Sequence, residues 1–365
     1  MALYLCVDCG GSKTSAAICD SSGRICGRAL GGPSNFSYLG LEAFISAVRE
    51  TVSNALKACP SSVHREVTLP PPANTFAAAW FGVSGVDSPS AVASITPYLS
   101  ALLGIEPGPR LLIANDTHLL AAPLRLCKDV EYSVVCIAGT GSICMSFEET
   151  DGKLQEIGRV GGWGWMLGDE GGGFHIGREA IRQVLKDTDK ISLGAVPPDV
   201  TTGKPTLKSR LLERFGVVDV LEILPVIHLP DPSASPTFGH GIPFHLFPKE
   251  KRLSSLSPIV FTSAFDDGDP LALNVLRTCA GMLASQIAAL LRPAEDTDDD
   301  PPLPRTVKAQ NSILCFGGSL IGVEAYRQMI LDDLAQRGHI FRLIEFINDP
   351  AAVGAFGLAE AALTR

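Results

Sequence analysis

Apolar and polar positions fall into two similar series along the chain. Leu3–Val7, Lys13–Cys19 and Arg24–Leu30 are short apolar-rich runs joined by the glycine-containing turns CGGS and DSSG, a pattern that predicts an antiparallel three-stranded meander. Over Leu41–Lys57 the residues Leu41, Phe44, Ile45, Val48, Val52, Ala55 and Leu56 recur at helical spacing. Pro60–Asn74, with its PPP run, reads as a surface loop. Thr75–Val83 and Arg110–Asn115 read as strands, and Pro89–Leu103 and Thr117–Leu126 as helices. Strands and helices in this order predict an α/β lobe with a mixed sheet.

The pattern then begins again. Tyr132–Ile137, Ile143–Phe147 and Leu154–Ile157 predict a second strand trio, with the glycine turn GTGS between its first two members and a helix over Gly171–Asp187 behind it. Apolar helices at Leu271–Leu291 and Val323–Gln336 bracket a strand at Ser312–Phe316, and Pro350–Leu363 reads as a final helix. Two meander-then-helix units imply two related lobes facing one cleft. The division falls at residues 1–127 and 128–365, with hinges near Leu126–Glu131 and the last helix read as packing back on the first lobe. Two segments break the regularity. Thr188–Ser257 is rich in Pro, Ser and His and holds one predicted helix, Leu207–Phe215. Arg292–Asn311 is acidic and proline-rich and reads as a disordered surface loop.

Composition narrows the function classes. A length of 365 residues favours two lobes over one. The net charge of −9 and the lack of a Lys/Arg cluster argue against a nucleic-acid partner. No apolar run reaches membrane-spanning length without Gly or polar interruption, and the N-terminus lacks the basic region of a secretory signal. Cys6 and Cys9 have CxxC spacing, but residues i and i+3 on a strand point to opposite faces, and no second pair follows. Most of the other cysteines, among them Cys19, Cys136, Cys144, Cys279 and Cys315, sit in apolar surroundings, and scattered free thiols suit a reducing, cytoplasmic compartment.

Candidate chemistry sits in the glycine turns. In Asp8–Thr14 the glycines Gly10 and Gly11 let backbone N–H groups approach a phosphate, while Ser12, Lys13 and Thr14 add hydroxyls and a cation. Asp8, at the strand end, could hold Mg²⁺ through water. The spacing is not that of a Walker A loop, and a plain hairpin turn is the alternative. Gly139-Thr140-Gly141-Ser142 occupies the same place in the second series, so the two turns could clamp a polyphosphate. Gly317-Gly318-Ser319 is a third strand-to-glycine junction, read as opening onto a helix where a nucleotide could lie close. The alternative there is a tight strand–helix turn. Asp116 stands at the C-terminal end of a strand, where open α/β sheets place ligands, or else caps the next helix. GGWGWMLGDEGGG sets two tryptophans, Trp163 and Trp165, and the pair Asp169-Glu170 in an unusually glycine-rich entry to a helix, more than a plain structural loop needs. A helix cap at Asp169 and ordinary core at Trp163 and Trp165 are the alternatives, and His175 reads as structural.

Together, Asp8–Thr14, GTGS, FGGS and Asp116 resemble the hairpins and base of the sugar kinase/actin/Hsp70-type ATPase superfamily. GGWGWMLGDEG, with Pro33-Ser34-Asn35 and Gly268-Asp269-Pro270-Leu271, is similar to the N-acetylglucosamine kinase branch of the BadF/BadG/BcrA/BcrD ATPase family. The resemblance implies an α/β fold of two actin-like (ribonuclease H-like) lobes with mixed sheets around a central cleft. It also implies ATP and Mg²⁺ as cofactors. Asp116 would be the base for the sugar's 6-hydroxyl, and Asn35, Gly161, Gly162, Trp163 and Asp169 would surround the sugar. Thr14 and Thr140 would contact phosphates, Asp8 would hold Mg²⁺, and Gly317–Ser319 would approach the adenosine. Val160 stands where animal members of this branch commonly have cysteine, and Thr188–Ser257 has little similarity. Rival readings are a kinase of another sugar such as glucosamine, an ATPase activator of a radical dehydratase, and a non-catalytic sugar sensor. The activator would need a pair of cluster-binding cysteines near the second hairpin, and no matching pair stands there. A homodimer is the base expectation for association.

Overall fold

The computed structural model describes residues 2–60, 67–125, 127–150, 153–196, 203–232, 243–293 and 303–363. The first sheet contains β1 (Leu3–Cys9), β2 (Thr14–Asp20), β3 (Ile25–Gly31), β4 (Phe76–Val83) and β5 (Leu111–Ala114), in the order β3-β2-β1-β4-β5. β1 pairs antiparallel with β2 and parallel with β4. The second sheet contains β6 (Tyr132–Ala138), β7 (Ser142–Thr150), β8 (Lys153–Gly161), β9 (Ser312–Gly317) and β10 (Leu343–Phe346), in the order β10-β9-β6-β7-β8. β6 pairs antiparallel with β7 and parallel with β9, so the two sheets share one topology. This is the doubled α/β, actin-like architecture with mixed sheets.

Helices cover both sheets. α1 (Phe36–Lys57) and α2 (Pro89–Leu103) bury Phe44, Val48, Ile95 and Leu99 on one face of the first sheet. α2 has all its local signals: Ser88 accepts from the Ala91 amide, Pro89 opens the first turn, and Gly104 ends it with φ of 64°. α3 (Thr117–Leu120) is much shorter than the predicted Thr117–Leu126 helix and gives way to a 3₁₀ turn at Ala122–Arg125, which contains Pro123. Leu126, the start of the predicted hinge, lies outside the described residues.

Behind the second sheet lie α4 (Gly173–Ser192), α5 (Leu207–Phe215), α6 (Ile223–His228), α7 (Lys249–Ser254), α8 (Ser257–Phe261), α9 (Pro270–Ala288) and α10 (Glu324–Gln336). The irregular segment thus holds α6 and α7 besides the predicted α5; residues 197–202 and 233–242 of it lie outside the described set. So does the acidic run at 294–302, although its stem is paired through Arg292 N–H to the Val307 carbonyl at 2.9 Å. α9 is long and apolar enough to cross a membrane by composition alone, but its Val275, Leu276, Cys279 and Leu283 are buried in the second lobe's core.

α11 (Pro350–Leu363) packs small residues, Ala351, Ala355 and Ala359, against Cys6, Ala17, Cys19 and Trp80 of the first sheet. Cys9 belongs to the opposite face, with α1 and α2. Cys6 and Cys9 are therefore separated by the sheet itself. α3 and the 3₁₀ turn after it join the lobes from the middle, with Leu120, Ala121 and Leu124 packed on Val135, Met145 and Phe147 of the second sheet.

Candidate active site

Asp116 stands two residues past the end of β5, after Asn115. The cap of α3 comes from its neighbour: Asn115 Oδ1 accepts from the Thr117 N–H at 3.0 Å and from Thr117 Oγ1 at 2.7 Å. Asp116 makes no side-chain cap bond, so capping does not explain its carboxylate. Burial, then the charges of Asp8 and Asp87, raise its pKa to about 7 against the opposing pull of the backbone amides of Asp116 and Thr117. Asp8, at the end of β1, is raised to about 6 by burial, with Lys13 opposing and Asp349 adding to the shift. The strand ends therefore gather two carboxylates that favour their protons.

The first hairpin is tight: the Gly10 N–H donates to the Lys13 carbonyl at 3.0 Å, leaving Gly11, Ser12 and Lys13 exposed. Thr14 behaves differently from the expectation of a phosphate contact. Its side chain is fully buried, donating to the Gly32 carbonyl at 2.6 Å and sharing a 2.6 Å bond with Ser34 Oγ. It fastens the hairpin to the 32–34 turn and offers no free hydroxyl surface. Asn35 caps α1 by accepting from the Tyr38 N–H at 3.3 Å, and its Nδ2 donates to Ser84 Oγ at 3.1 Å.

In the second lobe the GTGS turn and the GGWGWMLGDEGGG loop are one unit. The Gly173 N–H donates to the Gly139 carbonyl at 2.8 Å, and the Phe174 N–H to the Thr140 carbonyl at 3.1 Å. Asp169 lies buried against Gly141 and accepts from the Ser142 N–H at 3.2 Å. Its backbone has φ of 65°, a strained value for a residue with a Cβ and one that active sites often hold. The cap position of α4 is Gly172, so Asp169 is not the helix cap. Burial raises its pKa, helped by Glu170 and Glu250, and its charge reaches Tyr38 of the first lobe. A Cβ at Gly172 would lie 2.8 Å from the Gly141 carbonyl carbon, and one at Gly171 would lie 2.6 Å from Leu283 Cβ. Close approach to the turn and to α9 is what two of these glycines are for. His175 accepts the Gly171 N–H at Nδ1, a structural role.

Trp163 is 67% exposed, whereas Trp165 packs edge-on against Phe174. Gly161 and Gly162 both have positive φ, 79° and 71°. Gln286 of α9 donates to Glu170 Oε2 at 2.8 Å and would lie 2.7 Å from a Cβ at Gly161, so it braces the loop from behind.

Gly139, Thr140 and Ser319 line one cavity of about 260 Å³ with Gly173, Leu320, Phe247, Lys251, Ser254, Ser255 and Ser257. The GTGS and FGGS turns are thus brought together. Gly318, with φ of 92°, sits where a Cβ would be 2.3 Å from the Ala138 carbonyl oxygen, and the Leu320 N–H donates to that carbonyl. α10 starts only at Glu324, so the FGGS turn does not open directly onto a helix N-terminus as expected. Its adjacency to the cavity comes from the sheet, through the β6–β9 pairing. Lys251 and the serines of α7 and α8 were not legible as site residues, because the Pro/Ser-rich segment carries no motif.

Residues 5–362 match the BadF/BadG/BcrA/BcrD ATPase family. The chain belongs to that family. It is 25% identical over 294 residues to an N-acetyl-D-glucosamine kinase of Dictyostelium discoideum, covering 80% of this chain and 79% of that one. It is 28% identical over 186 residues to an N-acetylmuramic acid/N-acetylglucosamine kinase of Clostridium acetobutylicum, covering 50% and 54%. Among solved structures, a Porphyromonas gingivalis protein suggested to be an N-acetylglucosamine kinase superposes with a TM-score of 0.61 at 19% identity, covering 100% of this chain and 99% of that one. A Streptomyces griseus ROK family glucokinase in complex with glucose and AMPPNP superposes with a TM-score of 0.50 at 16% identity, covering 98% and 99%. The two structural likenesses bear on the fold.

Proposed function

We propose that this protein is an ATP-dependent sugar kinase that transfers the γ-phosphoryl group of ATP to the 6-hydroxyl of N-acetyl-D-glucosamine. The observation that supports the reading is Asp116: a carboxylate just past a strand end, making no side-chain cap bond to the helix it precedes and with its pKa raised by burial to about 7. As general base it takes the proton of the 6-hydroxyl while that oxygen forms its bond to phosphorus and the bond to the ADP oxygen breaks. A base tuned close to the working pH combines a usable ionised fraction with good proton affinity. The two kinases among the sequence relatives support the substrate class.

The sugar is assigned to Asn35, Gly161, Gly162, Trp163 and Asp169, with Asp116 at its 6-hydroxyl. ATP is assigned to the cavity of Gly139, Thr140 and Ser319, with Gly141, Gly317 and Gly318 shaping its turns and Lys251 as an added cation. On the other side, the amides of Gly10 and Gly11 with Ser12 and Lys13 are assigned to the phosphates. Thr14 keeps a supporting role, holding that hairpin. Asp8 suits Mg²⁺: it is an oxygen donor, and among the described residues no hydrogen-bond donor meets its carboxylate. When bound, Mg²⁺ neutralises charge on the transferring phosphoryl group. The ten free thiols support placing the reaction in the cytoplasm.

The test is coupled ADP release with Mg-ATP and, in turn, N-acetylglucosamine, glucosamine, N-acetylmannosamine and glucose. Turnover on N-acetylglucosamine far above the rest is the expected result. Preference for another sugar would discard the substrate and keep the chemistry; no sugar-stimulated release would remove the kinase reading.

A further inference from the structure

Arg159 lies near the end of β8, two residues before the sugar loop, and its guanidinium makes three kinds of contact at once. Nη2 donates to the Gly162 carbonyl at 2.9 Å. The cation stands 5.6 Å from the centre of the Trp163 ring. Nη1 reaches out of its own lobe to Asp87 Oδ1 at 3.1 Å. Asp87 belongs to the turn after β4, and the same Oδ1 accepts from Asn115 Nδ2 at 2.9 Å. Asn115 is the residue that caps α3 and precedes Asp116. One chain of contacts therefore runs from Trp163 and Gly162, beside the second sheet, to the start of the helix beside Asp116, next to the first.

The turn carrying Asp87 also serves the first lobe's own sugar residue. Ser84 holds Asn35 by its amide, and a Cβ at Gly85 would lie 2.7 Å from Asn35 Oδ1. Three residues assigned to the sugar, Asn35, Gly162 and Trp163, and the assigned base are thus registered against one turn.

We propose that Arg159 is a positioning residue for sugar phosphorylation, a latch that ties the sugar loop of the second lobe to Asp87 and Asn115 of the first. The inference rests on the sugar-kinase reading. Arg suits the task because its planar fork serves a carbonyl and a carboxylate together while its face covers the indole. Asp87 is exposed and Arg159 only partly buried, so the pair contributes little to stability. Its effect falls on the geometry of the loop and base, where small displacements have large effects on rate.

The test is a double-mutant cycle with Arg159→Gln and Asp87→Asn, each assayed with both substrates. Each single variant is expected to raise the sugar KM about tenfold, with the ATP KM within about twofold and the unfolding midpoint unchanged. The double variant is expected to be no worse than either single one, because the two changes cut the same link. Arg159→Lys keeps the charge opposite Asp87 but loses the fork, and should fall between. Small-angle scattering gives a readout independent of turnover: without substrates, Arg159→Gln should have the larger radius of gyration. Additive effects in the cycle, an equal rise in both KM values, or single variants like the wild type would overturn the latch. A wild-type protein with no sugar turnover would instead sink the kinase reading, and this role with it.

Discussion

At the scale of single residues, Asp116 sets two expectations that pull in opposite directions. With its pKa raised to about 7, kcat/KM for the sugar should climb as pH rises through about 7 and level off above it, because the base must be ionised. The same shift makes Asp116 a liability for stability. Between about pH 4 and 7 the folded chain retains a proton that the unfolded chain has released, so its contribution to stability falls as pH rises. Asp116→Asn should therefore lower kcat by about 10²–10⁴-fold yet melt higher than wild type at pH 8, the difference vanishing below about pH 4. Paired thermal melts at both pH values check this. Trp163, two-thirds exposed beside Arg159, should move its emission to the blue when sugar binds, and Trp163→Phe should abolish that change. An unchanged spectrum at saturating sugar would take Trp163 out of the site. Most residues assigned here were legible because glycine clusters mark places where backbone must come close. Arg159, Asp87, Gln286 and Lys251 carried no such mark, since their partners lie far away in sequence and no spacing encodes them.

At the scale of elements, the cavity assigned to ATP depends on how α7 sits against α4. Gly177 of α4 is the contact: a Cβ there would fall 1.9 Å from the Leu253 carbonyl oxygen, which is backbone and cannot swing aside. Gly177→Ala should push α7 outward with Lys251, Ser254 and Ser255, raising the ATP KM severalfold while leaving the sugar KM near wild type. Steady-state kinetics with each substrate varied separately decide it. The elements themselves were read from sequence with uneven success, for physical reasons. α2 and α5 were predicted with the bounds they have, since both carry an N-cap and an αL glycine at the C-cap. β10 was missed: it is a four-residue edge strand with Leu343 and Ile344 partly exposed, so no alternation marks it. α6 and α7 were missed because six-residue helices show less than two turns of period. The sequence pattern makes α3 too long because apolar spacing continues through Pro123, while the chain tightens into a 3₁₀ turn.

At the scale of the molecule, the two sheets repeat one topology, and the chain's end returns to its beginning. α11 covers the first sheet with alanines and Gly354, whose added Cβ would meet Cys6 Sγ at 2.5 Å. Gly354→Val should overpack that contact and cost about 1–3 kcal/mol, measured as a lower denaturant midpoint with an unchanged slope. A neutral result would mean that the helix is free to shift on the sheet. The repeat also explains why phosphate-binding candidates come in pairs. In each sheet the strand that opens the first hairpin, β1 or β6, pairs in parallel with a neighbour, β4 or β9, so hairpin turn and neighbour finish at the same end of the sheet. Strand ends place Asp8 and Asp116 on one side, and the GTGS and FGGS turns on the other. The most direct measurement of the whole account is NMR of the product made from ¹³C-labelled N-acetylglucosamine and Mg-ATP, with wild type and Asp116→Asn in parallel. Wild type should place one phosphate on C6 for each ADP released, and the variant almost none. ADP without sugar phosphate, phosphate on another carbon, or a fully active Asp116→Asn would contradict it.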